Sequence, residues 1–453
     1  MAGLRFFSFC LAVIAAVGCS RNPGCDRGPA LDFSKLYALR ISGLQSATGP
    51  RASLILPNPI DATGNPLANV SDNRVLQSAG PITLAGLLLP SRLENSFLKI
   101  RVRDISDALS TLATPNSGSD YVYQPGDTHY SEAMAYRSVT AIQAYVEALG
   151  FSVIQNRPLY VMVQAAGSTA QDVNAYYDHA YLHPSQPRTI KLFGSSAYAP
   201  GMDQDIYWHE FGHLFNESVT AERGLDFAGD AGAIWTEGAA IHECLADYLS
   251  ESVSGRGYIG KWVARNIDGF APGQPLRSAI AQNAKSDFRQ VIEADGTGAQ
   301  PERYAVAEWC SRVLWEIREN FVVQNPKLGA IYSDRMVYSA LSLLGRDASL
   351  SQFQKALLQS DEQLHCGGHE EAIMNAFEGR GFSQPATLAQ PLTLSAKAIA
   401  VNPTTGAPTA PLPGGLVVFQ FTLRNPNGAV ARNVRVRLEP KDARLFPTTY
   451  QQA

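Results

Sequence analysis

Cysteine is scarce in this chain. Its six cysteines in 453 residues are too few for the disulfide framework that holds small secreted domains together. A basic block is missing as well. Lys and Arg number 37 against 41 Asp and Glu, for a net charge of −4, which leaves no electrostatic footprint for nucleic acid. After the first twenty residues no apolar run is long enough to cross a bilayer, and no sustained repeat is present. Histidine is rare too, with eight in all. Two of them fall within five residues of each other, in Asp205-Ile206-Tyr207-Trp208-His209-Glu210-Phe211-Gly212-His213-Leu214-Phe215.

That stretch reads as a helix, with an apolar band broken only by groups that carry chemistry. Residues four apart on a helix lie one above the other. His209 and His213 can therefore offer two imidazole nitrogens to one metal ion, with Glu210 beside them as a base. Zinc suits such a ligand set, because it takes imidazole and carboxylate and leaves one position for water. A second helical stretch, Glu237 to Leu249, carries small residues on one side and places Glu243 and Asp247 four apart. Glu243 can complete the ligand set. Asp247, one turn on, can accept the N–H of a ligating imidazole and so fix its tautomer.

His-Glu-x-x-His followed by a Glu-x-x-x-Asp helix resembles the gluzincin metallopeptidases of the thermolysin and fungalysin type. The 29 residues between His213 and Glu243 exceed the family's spacing, and the Gly- and Asp-rich segment around 221–233 is expected to absorb the excess as a loop. The resemblance implies one zinc ion held by His209, His213 and Glu243, with Glu210 as general base and Asp247 orienting an imidazole. It implies that Asn174-Ala175, in Asn174-Ala175-Tyr176-Tyr177-Asp178, is an edge strand that holds the substrate main chain. Tyr304 stands where a fungalysin-like helix has its oxyanion-stabilising His, with Ala307 for the family's Gly and Cys310 for its Trp. The Tyr that precedes the third ligand in thermolysin has no counterpart, Ile234 lying nearest to its register. Asp205 sits where thermolysin has a calcium-liganding Asp. The rest of that calcium set is not evident, so Asp205 is also read as an acidic group at a helix start. His365 and His369 are reserve candidates for the oxyanion role, and His129 is read as a helix-start residue.

The implied fold class is α+β: a thermolysin-like zincin domain over residues 120–384, with an N-terminal mixed sheet, the active-site helix and a C-terminal helical lobe. It is flanked by an N-terminal β module, residues 32–115, with strands expected at Leu36–Ile41, Ser53–Leu56 and Leu98–Arg103. That module is either a pro-segment relic or a retained structural part. Residues 385–453 read as a Pro-rich linker and a partial immunoglobulin-like β domain, with strands at Leu416–Leu423 and Asn433–Leu438.

The first nineteen residues form a signal peptide, with Arg5 ahead of the apolar Phe6–Val17. They end Ala16-Val17-Gly18-Cys19, which resembles the lipobox of bacterial lipoproteins. That resemblance implies lipidation of Cys19, a tether over residues 20–31 and a membrane anchor in the bacterial envelope, the outer membrane above all. Secretion after ordinary cleavage is the alternative. Cys25, Cys244, Cys310 and Cys366 can form one or two disulfides in an exported chain.

The expectation is an exported zinc metalloendopeptidase acting on peptides or proteins. Two rivals stand beside it: a zinc aminopeptidase, and a surface-anchored binding or adhesion protein whose gluzincin domain is catalytically weak.

Overall fold

The structure is a computed structural model that describes residues 49–103, 112–153, 158–165, 173–178, 187–194, 200–220, 237–267, 269–280, 287–293, 303–345 and 348–382, together with two strands, 393–401 and 416–424. It is mixed α+β. One compact unit ends at Phe382 and a second begins at Ser383.

Strands β1 (Arg51–Leu54) and β2 (Gly80–Thr83) pair antiparallel, and two short helices, Pro59–Thr63 and Asn73–Ser78, lie in their connection. Strand β3 (Leu98–Val102) follows. Helix α1 (Thr128–Ala148) starts where the Asp127 carboxylate accepts the His129 N–H at 2.9 Å. Strands β4 (Leu159–Val163), β5 (Asn174–Asp178) and β6 (Arg188–Phe193) come next. The sheet order is β3-β4-β6-β5, with β5 as the antiparallel edge strand and the other three parallel. In β3 and β4, four of five residues are buried, as expected of short strands beneath a helix. The residues expected to form a separate N-terminal module therefore do not stand apart, because β3 is one side of this four-stranded sheet. The expected strand Leu36–Ile41 lies outside the described residues.

Helix α2 (Gln204–Val219) is buried from Gln204 to Glu217, and α3 (Glu237–Ser254) is buried from Gly238 to Ser252. A helix buried on every side needs neighbours on every side. The indole N–H of Trp208 bonds the Ser138 carbonyl of α1 at 3.0 Å, and α3 covers the other face of α2. The closeness of α2 to α3 depends on Gly212. A Cβ built there would sit 2.7 Å from the Cα of Ala246. The small-residue face of α3 lets the backbones approach far enough for side chains on both helices to meet.

A two-residue antiparallel ladder, β7 (Tyr258–Ile259) and β8 (Arg277–Ser278), leads to the helical part. Helix α4 (Arg303–Gln324) packs along α3, α5 (Gly329–Leu341) along α4, α6 (Leu350–His365) along α5, and α7 (Glu370–Glu378) against α4 and α6. In the second unit β9 (Thr393–Val401) and β10 (Leu416–Arg424) form an antiparallel ladder. The strand expected at Asn433–Leu438 lies outside the described residues.

The start of α2 is tied down by charge. Asp203 accepts from the Trp262 N–H at 3.1 Å and from Asn58 Nδ2 at 3.3 Å. Asp205 pairs with Arg256, which also reaches Asp61 at 3.1 Å, and Lys261 meets Asp61 at 3.1 Å. Pro57 supplies its carbonyl to the Gln204 N–H at 3.0 Å. Residues 57–61 therefore hold the front of the helix that carries His209.

Candidate metal centre

On α2 the two histidines share one face. Their Nε2 atoms lie 3.2 Å apart, with the rings edge to face at 84°. Glu243 reaches across from α3, its Oε2 3.4 Å from His209 Nε2 and 3.7 Å from His213 Nε2. All three side chains are buried, and one ligand atom from each lies within 4.8 Å of the others. The Oε2 atoms of both Glu243 and Glu210 are buried without a hydrogen-bond donor. Buried carboxylate oxygens ordinarily find a proton donor or a cation. Two imidazole nitrogens and an undonated carboxylate oxygen converging on one point fit a single divalent ion, and such a donor set suits zinc.

Asp247, one turn beyond Glu243, has its Oδ1 2.8 Å from His209 Nδ1. That contact puts the Nδ1 proton toward the carboxylate and turns the Nε2 lone pair inward. Asp247 is itself clamped by Arg277 of β8, with Nε at 2.6 Å from Oδ2 and Nη2 at 2.7 Å from Oδ1. Burial opposes ionisation of Asp247, but the charges of Arg277 and His209 outweigh it and hold the carboxyl below its ordinary range. Burial also opposes charge on His209. Asp247 and Glu243 overcome it and push this imidazole up to about 10, so the field at His209 favours a positive charge. A divalent ion satisfies the same field. Glu210 is pushed up to about 7, chiefly by burial and further by Glu243, while His209 pulls the other way. His242 stacks on His213 with ring centres 4.7 Å apart and 10° between planes, backing the second ligand.

Tyr304 opens α4 beside this group. The Arg277 guanidinium lies 5.3 Å from its ring centre and that of Arg303 4.7 Å. Arg303 Nη2 donates to the Tyr304 hydroxyl at 2.7 Å. Burial raises the Tyr304 phenol, the negative charge of Glu243 adds to that, and the two arginines oppose it.

Asn174 and Ala175 begin the edge strand β5, whose outer side pairs with no other strand among the described residues. Asn174 Oδ1 accepts the Ala175 N–H at 2.9 Å. Tyr177 ties β5 to α2 through Glu217 at 3.0 Å. The histidine helix and the exposed edge are thus neighbours.

Asp205 is fully buried at the front of α2. Its Oδ1 pairs with Arg256, and its Oδ2 accepts the Gly260 N–H at 3.4 Å. Where the resemblance has a calcium ligand, this chain has a carboxylate countered by a guanidinium. His365 and His369 form a cluster of their own with Asp361, Phe321 and Tyr332. His129 lies in the first turn of α1, 2.6 Å from Glu132. Cys244 and Cys310 are buried free thiols, whereas Cys366 is disulfide-bonded. Cys19 and Ile234 lie outside the described residues.

Arg277, His242 and Gly212 escaped the sequence reading. Arg277 sits in a two-residue strand with no motif around it. His242 was signalled only by its adjacency to Glu243, and Gly212 by the small residues of α3 that it faces. No family model matches this chain, and no curated protein sequence matches it.

Proposed function

We propose that the chain is an exported, zinc-dependent peptidase of the gluzincin kind, cleaving within peptide chains. The observation that carries this reading is the convergence of His209, His213 and Glu243 with Glu210 beside them and Asp247 behind. The thermolysin-like arrangement is supported by the order of parts: an antiparallel edge strand, then the histidine helix, then the Glu243 helix and a helical lobe. Zinc bound by His209, His213 and Glu243 would supply Lewis acidity, lowering the pKa of a water and polarising the scissile carbonyl.

The protein groups do the rest. Glu210 accepts a proton from the water as its oxygen bonds to the carbonyl carbon, and gives that proton to the nitrogen as the C–N bond breaks. Its raised affinity for a proton suits both halves of the task. Tyr304 donates to the carbonyl oxygen as negative charge builds there, a contribution of about 3 kcal/mol where such a donor is preorganised. The backbone of Asn174-Ala175 receives an extended substrate as an added strand. Asp247 and Arg277 hold His209 in the tautomer that can ligate. The leader resembling a lipoprotein signal supports export and anchoring through lipidated Cys19.

The test compares the mature chain with its Glu210→Gln variant on casein, with and without a chelator. The reading expects chelator-sensitive cleavage by the parent alone, with zinc in both proteins. Cleavage by Glu210→Gln, or none by a zinc-loaded parent, overturns it.

A further inference from the structure

Residues 49–103 precede the stretch that the resemblance makes catalytic, and a detachable pro-segment would leave behind a body complete in itself. Here the contacts run through the core. Leu54, Ile55, Ile60 and Val75 are buried in the same cluster as Met134 of α1 and Phe211 of α2. Strand β3 pairs with β4 along its whole length, and without it the buried Leu159, Val161 and Val163 would lie on an open sheet edge. The Ile55 N–H donates to the Tyr130 hydroxyl at 2.7 Å, and the Tyr136 hydroxyl donates to the Ala85 carbonyl at 2.8 Å, so α1 is bound at two points. Buried groups that lose such partners cost more than the bonds themselves contribute.

The tie to the histidine helix is Asp61, whose side chain is 9 % exposed. Its Oδ2 accepts from Arg256 Nη1 at 3.1 Å and from Asn58 Nδ2 at 3.0 Å. Its Oδ1 accepts from the Tyr258 hydroxyl at 3.0 Å and from Lys261 Nζ at 3.1 Å. Two routes lead from there to His209. Through its other terminal nitrogen Arg256 pairs with Asp205, one turn ahead of His209 on α2. Tyr258 opens β7, whose Ile259 pairs with Arg277, and Arg277 holds the Asp247 that holds His209. One carboxylate in the N-terminal segment thus fixes both the front of the ligand helix and the strand behind its first ligand.

We infer that residues 49–103 are a permanent part of the metal-binding body, with Asp61 the positioning residue through which they set the place of His209. Any proteolytic maturation therefore ends ahead of Gly49, and a cut inside this segment is not an activating step. This rests on the zinc centre of the reading given above. It assigns Asp61 no contact with metal or substrate.

The experiment uses the mature chain with a specific-protease site inserted in the exposed turn 88–92, and the mature chain carrying Asp61→Asn, Asp61→Glu or Val75→Ala. Zinc affinity is read in competition with a chromophoric chelator, at a temperature where circular dichroism shows every variant folded. After the cut the two pieces are expected to co-elute on size exclusion with zinc affinity unchanged, and pieces that part only with loss of zinc support the inference equally. Asp61→Asn is expected to weaken zinc binding by about tenfold, and Asp61→Glu, which keeps the charge, to recover most of the loss. Val75→Ala removes buried methyls and no polar partner, so it is expected to lower the melting temperature and leave zinc affinity alone. An N-terminal piece that separates and leaves a zinc-loaded body overturns the inference, and so does an Asp61→Asn variant with a lower melting temperature and unchanged zinc affinity. Both results leave the peptidase reading intact. A zinc-loaded parent that cleaves no casein overturns that reading alone, and a parent that binds no zinc overturns both.

Discussion

Among the described residues, two histidine pairs share the same spacing, four residues, and meet different ends. His209 and His213 stand one turn apart on a continuous helix, edge to face, with ring centres 4.8 Å apart. His365 and His369 are also edge to face, at 5.2 Å. The second pair, however, straddles a helix end. At Cys366 the backbone turns left-handed (φ 56°), and His369 falls beyond α6. There it lies flat on Phe321 at 3.6 Å and bonds Asp361 at 2.8 Å. His365 packs edge-on against Phe321. No third ligand faces that pair among the described residues. The difference lies in the second element. A carboxylate on α3 can reach the first pair because Gly212 lets α3 come close, whereas aromatic rings enclose the second. Spacing makes two imidazoles neighbours, and only a facing helix makes them a ligand set.

Changing the ligands breaks the comparison most severely. Replacing His213 or Glu243 by Ala is expected to abolish zinc binding, whereas His369→Ala retains stoichiometric metal by mass spectrometry. Gly212→Ala comes next. Its added methyl meets the Ala246 backbone, which a rotamer change cannot relieve, so a loss of about 1–3 kcal/mol in unfolding free energy is expected together with weakened zinc binding. Asp247→Asn and Arg277→Met sharpen the contrast from behind the ligands. Each is expected to lower zinc affinity by about 10- to 100-fold in competition with a chromophoric chelator, while substitution of Asp361, the partner of His369, leaves it unchanged.

The smallest effect belongs to the second pair. Burial, aided by the neighbouring charge of His369, pulls His365 down to about 4 from its ordinary 6.5. Between those values the unfolded chain binds the proton and the folded chain does not, so stability falls as pH falls through that window. From pH 7 to pH 5 this group is expected to remove about 1–2 kcal/mol, read by denaturant unfolding, and His365→Gln is expected to flatten that part of the profile.

The sequence made the centre legible where ligands are local in the chain. His209, His213 and Glu210 fall within one helical turn, and Glu243 and Asp247 within another, so spacing alone placed each group on a face. What spacing cannot show is which distant segment closes the site. Arg277 meets Asp247 and His209 through a two-residue strand 30 and 68 positions away, and a lone Arg between Leu276 and Ser278 carries no signal. Nor did the apolar run Leu98–Val102 announce its partner. Parallel pairing with Leu159–Val163 is a long-range choice made by the shared helix α1, and it drew an apparent separate module into the sheet. Tyr304 was singled out only by resemblance, and its tie to Arg303 was hidden in plain adjacency.

The network at the front of α2 has a consequence for how the molecule meets its surroundings. Arg256 is covalently part of the chain, so the countercharge for Asp61 and Asp205 can be neither diluted nor competed away. A chelator that would strip an ion held by His209, His213 and Glu243 is expected to leave that corner untouched. On the proposed reading, the same helix carries one group that depends on the metal supply of the environment and another that depends only on an intact polypeptide.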